Sequence, residues 1–303
     1  MMFKGVSDVH RRLEASGYIP SREIATIIYL AQEVKKTVLV EGPAGVGKTE
    51  LAKSVGLCLD REMIRLQCYE GLDESKALYE WAYAKQLLYT QMLKEKINEV
   101  VSASSSLARA VDEIARHEDA FFSDRFIQTR PLLAAISSKT PVVLLVDEID
   151  KSDPEFEAFL LELLSDFQVT IPEIGTIQAR TQPFVFLTSN NYRDMSDALK
   201  RRCIHIYIDY PDMETEKEIV AKKLPKIGER LLNQVVETVA AIRELDLKKK
   251  PCISETIDWA KSLMILKKQS LTPEILDLTL NTLCKHKSDY TVVRSQIRDL
   301  VKA

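Results

Sequence analysis

The chain predicts an α/β fold, a parallel sheet flanked by helices, followed by a small all-α region. Three observations carry this. Short apolar runs alternate with helix-period segments up to about residue 210. A glycine-rich loop joins the first of those runs to a helix. After Pro211 the strand-like runs stop, and the remaining period is helical, with breaks at Pro225, Pro251 and Pro273.

Residues 1–20 are mixed and end in the turn-like "GYIP". "SREIATIIYLAQEV" predicts a helix with Ser21 as N-cap and Ile24, Ile27, Ile28 and Ala31 on one face. "KTVLVEG" reads as a short buried strand, "TELAKSVGLCLD" as the helix after the loop, with Leu51, Val55 and Leu59 inward, and "EMIRLQCY" as the next strand. From Asp73 to about Glu118 the near absence of Gly and Pro predicts a helical insert, broken around Ser102–Ser106. "RPLLAAISS" is a helix, "PVVLLVDE" a strand buried on both faces, and "PEFEAFLLELLSDF" a helix. "VTIPEIGTIQA", Val169 to Ala179, alternates around Gly175 as a hairpin does. "PFVFLTSNN" is a strand, "SDALKRRC" a short helix and "IHIYIDY" the last strand. The boundary falls near Tyr210–Asp212, giving an α/β domain over 1–211 and a helical lid over 212–303.

Composition is that of a globular protein, 46% hydrophobic and 29% charged, with a net charge of −3 that favours no polyanion partner. Cys58, Cys68, Cys203, Cys252 and Cys284 form no CxxC pair, so a zinc or redox motif is not expected and the thiols read as reduced and intracellular. The N-terminus lacks an apolar signal-peptide core, and "PVVLLV" is far too short to span a bilayer; a cytoplasmic location follows as an expectation.

The loop "GPAGVGKT" fits G-x-x-x-x-G-K-[ST]. Gly42, Pro43, Ala44, Gly45, Val46, Gly47, Lys48 and Thr49, with Glu50 just beyond, form the candidate cradle. Glycines let main-chain N–H groups approach phosphate oxygens, and the next helix begins with its positive end there. Lys48 is placed to reach the β/γ-phosphates of ATP and Thr49 to ligate Mg²⁺. A chance match in a chain this long arises at roughly the one per cent level, and the strand before and helix after are both present. Asp147 and Glu148 end a buried strand on the edge where ligands bind in such sheets. Asp147 is the candidate metal ligand through water, and Glu148 the candidate base toward an attacking water. Asn190, after "FLTS", ends a strand on the same edge and can bond both phosphate and water. Arg201 and Arg202 precede the last strand; taken alone they read as solvated arginines, although an arginine can act in trans on a neighbour's nucleotide. The run Lys248–Lys250 reads as a solvated helix end. Tyr79, Trp81, Tyr83 and Tyr89 read as insert packing, and the scattered His10, His117, His205 and His286 as structural or exposed.

This order of motifs resembles an AAA+ ATPase, and within it the MoxR group, most nearly the accessory ATPases of molybdenum hydroxylases such as carbon monoxide dehydrogenase. The stretches carrying the likeness are "GYIPSREIA", "VEGPAGVGKTELAK", "IRLQCYEGLDESKALYEW", "LLVDEIDKSDPEFEAFLLELLSDFQVTIPEIGT" and "LTSNNYRDMSDALKRRC". The resemblance implies that Gly42–Thr49 is Walker A, Asp147 and Glu148 Walker B, Asn190 sensor 1 and Arg202 the arginine finger, with Arg201 one residue off. It implies a ring of identical subunits, usually a hexamer, chaperone-like action, a partner with a von Willebrand factor A domain, and a metalloenzyme client receiving its metal cofactor. Two departures stand out. The insert at 73–118 reads as helical where the family carries a β-rich one. The lid stretch "PCISETIDWAKSL" offers Ser254, Glu255 and Thr256 but no sensor 2 arginine; an acid facing the γ-phosphate would repel it, and Lys261 is one substitute. A nucleic-acid motor and a weakly hydrolysing nucleotide-gated scaffold are the alternatives. The net charge and the lack of a basic stripe oppose the first; the intact "DE" pair and Asn190 oppose the second, while the missing lid arginine favours it.

Overall fold

The computed structural model describes residues 2–92, 94, 126–171 and 175–301. The greater part of the expected insert, residues 95–118 with the Ser102–Ser106 break, and the hairpin tip at 172–174 lie outside the described residues.

Among the described residues, five parallel strands form the main sheet: β1 (Thr37–Glu41), β2 (Met63–Gln67), β5 (Val143–Asp147), β8 (Phe184–Ser189) and β9 (Cys203–Tyr207). Their order is β2-β5-β8-β1-β9, with β8 central and β1 between β8 and the edge strand β9. Every residue of β1, β5 and β8 is buried, which is why these runs carry no polar alternation. Successive residues face opposite sides. Val38, Val40, Val143 and Leu145 meet α1 (Val6–Ala15), α2 (Arg22–Glu33) and α3 (Lys48–Leu59). Leu39, Leu144, Val146, Val185 and Leu187 meet α6 (Pro131–Ser137) and α7 (Pro154–Asp166).

Helix α1 corrects the reading of residues 1–20 as mixed. Val9 and Leu13, four apart, are fully buried on α2 and α3, but the charged residues between them mask the period. Ser21 caps α2 by accepting from the Ile24 N–H at 3.1 Å. The run after Asp73 is not one helix. Asp73 caps α4 (Glu74–Leu78), then Tyr79–Trp81 form β3, paired antiparallel with β4 (Ile127–Thr129), and α5 (Tyr83–Met92) follows. Tyr and Trp are good strand residues, and the partner of Tyr79, Thr129, lies 50 positions on, where a local reading does not look. β6 (Gln168–Ile171) and β7 (Gly175–Gln178) pair antiparallel, burying Val169 and Ile171.

After Pro211 come α9 (Met213–Lys223), α10 (Glu229–Arg243), α11 (Ile253–Ile265), α12 (Pro273–Thr279), α13 (Lys287–Ser295) and α14 (Ile297–Leu300). They close on their own core, with Trp259, Val235, Val239 and Leu276 fully buried. Lys223 of α9 pairs with Glu50 of α3 at 2.7 Å, and Lys222 donates to the Glu14 carbonyl at 2.6 Å, tying this bundle to the α/β part. Helix α8 (Asp197–Arg202) leads into β9.

Candidate functional site at the carboxyl edge of the sheet

Strands β1, β5 and β8 deliver their last residues to one edge, so the loop after each supplies side chains to one place. The glycine loop bends there because its glycines adopt backbones denied to other residues. Gly42 has φ +146, and a Cβ on it would lie 1.9 Å from the Ile208 carbonyl oxygen. Gly45 has φ +76, and a Cβ on it would lie 2.2 Å from Cys252 Sγ of the C-terminal helical region.

Lys48 opens α3 at the loop's end and is buried. Its ammonium donates to the carbonyls of Gly42 and Pro43 and to Asn190 Oδ1, each at 2.7 Å. Burial pulls its pKa below the ordinary lysine value, opposed by the negative charges of Asp150, Asp147 and Glu148. Thr49 donates to the Asp147 carboxylate at 3.0 and 3.2 Å. Asp147 also accepts from Thr188 Oγ1 and, at 2.5 Å, from Arg65 of β2. Glu148 stands at φ +57, uncommon for a residue with a side chain; its N–H donates to Thr188 at 2.9 Å. Its carboxylate accepts from Asn190 Nδ2 at 3.3 Å, Gln67 Nε2 at 2.9 Å and Lys151 at 2.6 Å.

Lys48, Thr49, Asp147, Glu148 and Asn190 therefore form one contact network although they are up to 142 positions apart. Arg201 and Arg202 end α8 with exposed side chains, and no hydrogen bond or ion pair joins either to that network. Sequence reasoning missed Asp150. It is 1% exposed, and its Oδ2 accepts the N–H groups of Asn190 and Tyr192, both at 2.9 Å, which sets the turn after β8. Its Oδ1 is buried without a partner. "DEID" displays this third acid, but only the tertiary turn shows what it holds. Arg65, Gln67 and Thr188 were likewise invisible, since their partners come from neighbouring strands.

Glu255 does not face the loop. Its carboxylate turns back on α11, accepting the Cys252 N–H at 2.8 Å and Lys249 Nζ at 3.1 Å. The repulsion expected of an acid there does not arise. The C-terminal helical region meets the loop through Cys252, with Ser254 beside it.

Beside the loop lies a cavity of about 480 Å³. Gly45–Gly47 form one part of its wall, Tyr18, Ile19 and Ile24 another, and Tyr210, Ile253 and Ile257 a third. Its size and its largely apolar wall beside the glycine loop suit a nucleotide. Among the described residues no cluster of three or more His, Cys, Asp or Glu side chains could cage a metal. The Thr49 hydroxyl and Asp147 carboxylate are hard oxygen donors in mutual contact, which fits Mg²⁺ held by few protein groups and shared with phosphate oxygens. No described helix is long and apolar enough to cross a membrane.

Sheet, loop and carboxylate edge define a P-loop NTPase fold. The model of the ATPase family associated with various cellular activities (AAA) matches residues 38–210, and the chain belongs to that family. The gas vesicle ATPase GvpN1 of Halobacterium salinarum is 25% identical over 221 residues, which are 70% of this chain and 58% of that protein. The chaperone protein ClpB of Mycoplasmoides gallisepticum is 25% identical over 248 residues, 78% of this chain and 28% of that one. An uncharacterized Staphylococcus aureus protein, SAUSA300_1302, is 25% identical over 77% of this chain and 78% of its own length. The chain thus spans little more than half of the gas vesicle ATPase. Among solved structures, the Thermotoga maritima RuvB Holliday junction branch migration motor has a TM-score of 0.44 at 16% identity, covering 94% of this chain and 69% of that one.

Proposed function

We propose that the protein is a Mg²⁺-dependent ATPase of the MoxR type that couples hydrolysis to chaperone-like remodelling of a protein client. One observation carries the reading: Lys48, Thr49, Asp147, Glu148 and Asn190 meet at a single sheet edge beside a nucleotide-sized cavity.

The loop N–H groups and the start of α3 bind phosphate oxygens. Lys48 exchanges its carbonyl contacts for the β/γ-phosphates. Thr49 and Asp147 would hold Mg²⁺, which supplies charge neutralisation on the phosphates when bound. Glu148 accepts a proton from the attacking water, and Asn190, already in contact with both Lys48 and Glu148, orients that water against the γ-phosphate. Tyr18, Ile19, Ile24 and Tyr210 enclose the base and exclude water. Arg202, exposed and outside this network, acts on the nucleotide of a neighbouring copy in a ring, usually a hexamer.

The client reading rests on the sequence resemblance to accessory ATPases of molybdenum hydroxylases: a metalloenzyme receiving its cofactor, with a von Willebrand factor A domain protein as partner. The likeness to a chaperone supports the remodelling half.

Phosphate release from ATP by the purified chain tests the enzyme half. Mg²⁺-dependent release that disappears in Lys48→Ala and Glu148→Gln is expected; none from the parent would overturn it. For the client half, Glu148→Gln held in ATP should retain a metalloenzyme in fixed ratio that the parent releases. Turnover stimulated by DNA at physiological salt, with no such retention, would overturn it.

A further inference from the structure

Arg243 ends α10 deep in the lid, 8% exposed, and every polar edge of its guanidinium is engaged. Nη1 and Nη2 donate to the two oxygens of Glu216 at 2.5 and 2.8 Å, and Nε donates to the Pro251 carbonyl at 2.8 Å. Glu216 lies in the first turn of α9 and is fully buried; Thr256 of α11 donates to it at 2.7 Å. One charge pair thus joins α9, α10, α11 and the segment before Cys252. The guanidinium carbon lies 4.9 Å from the centroid of the Tyr210 ring, within cation–π range. Tyr210 belongs to the linker between β9 and α9 and forms part of the cavity wall.

A buried ion pair alone adds little to stability, because desolvation offsets its attraction, and an apolar pair of similar volume would serve as well. An apolar pair would leave Tyr210 without a charged plane to rest on. A fixed fork on Glu216 and Pro251 with a free face toward Tyr210 is a task for which lysine is no substitute.

We propose that Arg243 is a positioning residue: Glu216 and the Pro251 carbonyl fix its guanidinium, which holds the Tyr210 ring as the lid-side wall against the base of a bound nucleotide. This rests on the nucleotide reading of the cavity. It makes the lid sense the base end of the ligand, in a chain whose "PCISETIDWAKSL" stretch holds no arginine.

Calorimetric titration of the full chain, with Mg²⁺, by ATP and by inorganic tripolyphosphate tests it. Arg243→Lys should weaken ATP about tenfold and leave tripolyphosphate within about twofold. Tyr210→Leu should do the same, and the double variant should be no weaker than Tyr210→Leu, since the two act as one unit. Equal losses for both ligands would show general loosening of the lid and overturn the proposal. Unchanged ATP affinity in Arg243→Lys, or losses that multiply in the double variant, would also overturn it. If Arg243→Lys does not fold, Tyr210→Leu decides, because it leaves the ion pair intact: a selective loss of ATP supports the assignment, and unchanged affinity refutes it. A parent that binds no ATP overturns the nucleotide reading and this inference together; a parent that binds keeps the two separable.

Discussion

Replacing Asp150 separates what its carboxylate does as an acceptor from what it does as a charge. Asp150 Oδ2 receives two main-chain N–H groups at 2.9 Å, from Asn190 and Tyr192, in a site 1% exposed. Asp150→Ala leaves two donors without their acceptor. Each bond to a charged group contributes about 1.5–3 kcal/mol. The unpartnered Oδ1 is a cost that the parent already bears, and its removal returns part of the loss. A net destabilisation of about 3 kcal/mol follows, seen as a fall of about 6–12 °C in melting temperature. Asp150→Asn keeps an acceptor oxygen for both donors and should stay within about 3 °C of the parent. Because the turn also aims Asn190 at Lys48 and Glu148, Asp150→Ala should lose more in ATP turnover than in ATP affinity. Scanning calorimetry of the nucleotide-free chain, with turnover and titration on the same samples, reads all of this. Equal damage from Asn and Ala would show that charge, not the pair of N–H bonds, is what matters, and would refute the reasoning.

Glu148→Gln should bind ATP with near-parent affinity and lose turnover by about 10²–10⁴-fold, the usual contribution of a general base; single-turnover kinetics on preloaded enzyme would detect a variant that still cleaves. Mixing Arg202→Ala with Lys48→Ala subunits should restore turnover above either alone, whereas continued inactivity would remove Arg202 from action in trans. Burial depresses the pKa of Lys48, so its proton is lost at lower pH than from an ordinary lysine. ATP affinity should therefore decline as pH rises through that lowered value, and binding should take up protons there; a series of titrations at rising alkaline pH in buffers of different ionisation enthalpy measures the uptake, and proton release would contradict it. Gly45→Ala should lower the melting temperature sharply, because its Cβ would meet Cys252 Sγ at 2.2 Å; adding Cys252→Ala should restore part of that loss, the remainder being the Cβ of residue 252, still 2.8 Å away, and strain at φ +76.

Much of the α/β layout was legible because burial on both sheet faces leaves unbroken apolar runs, as in "VVLLVD", and because the loop glycines report a backbone need that few other residues meet. Ser21 was readable as a cap since capping is local. What escaped was non-local. Helix α1 is anchored by two residues, Val9 and Leu13, within a charged segment. Strand β3 exists because Ile127–Thr129 pair with it. Glu255 looked like a repulsive acid only because its neighbour's N–H and Lys249 were not in view. The same holds at the site. Lys48, Thr49, Asp147, Glu148 and Asn190 end strands or open helices in recognisable motifs, while Asp150, Arg65, Gln67 and Thr188 matter only through what the fold brings beside them.

The central claim is that a nucleoside triphosphate lies between the glycine loop and the Tyr18–Tyr210 walls with its phosphates on Lys48. Titration of the chain and of Lys48→Ala with a fluorescent ATP analogue and Mg²⁺ tests it most directly. Saturable binding by the parent that unlabelled ATP displaces and Lys48→Ala loses is the expected result. No binding by the parent, or equal binding by a well-folded Lys48→Ala, would contradict it.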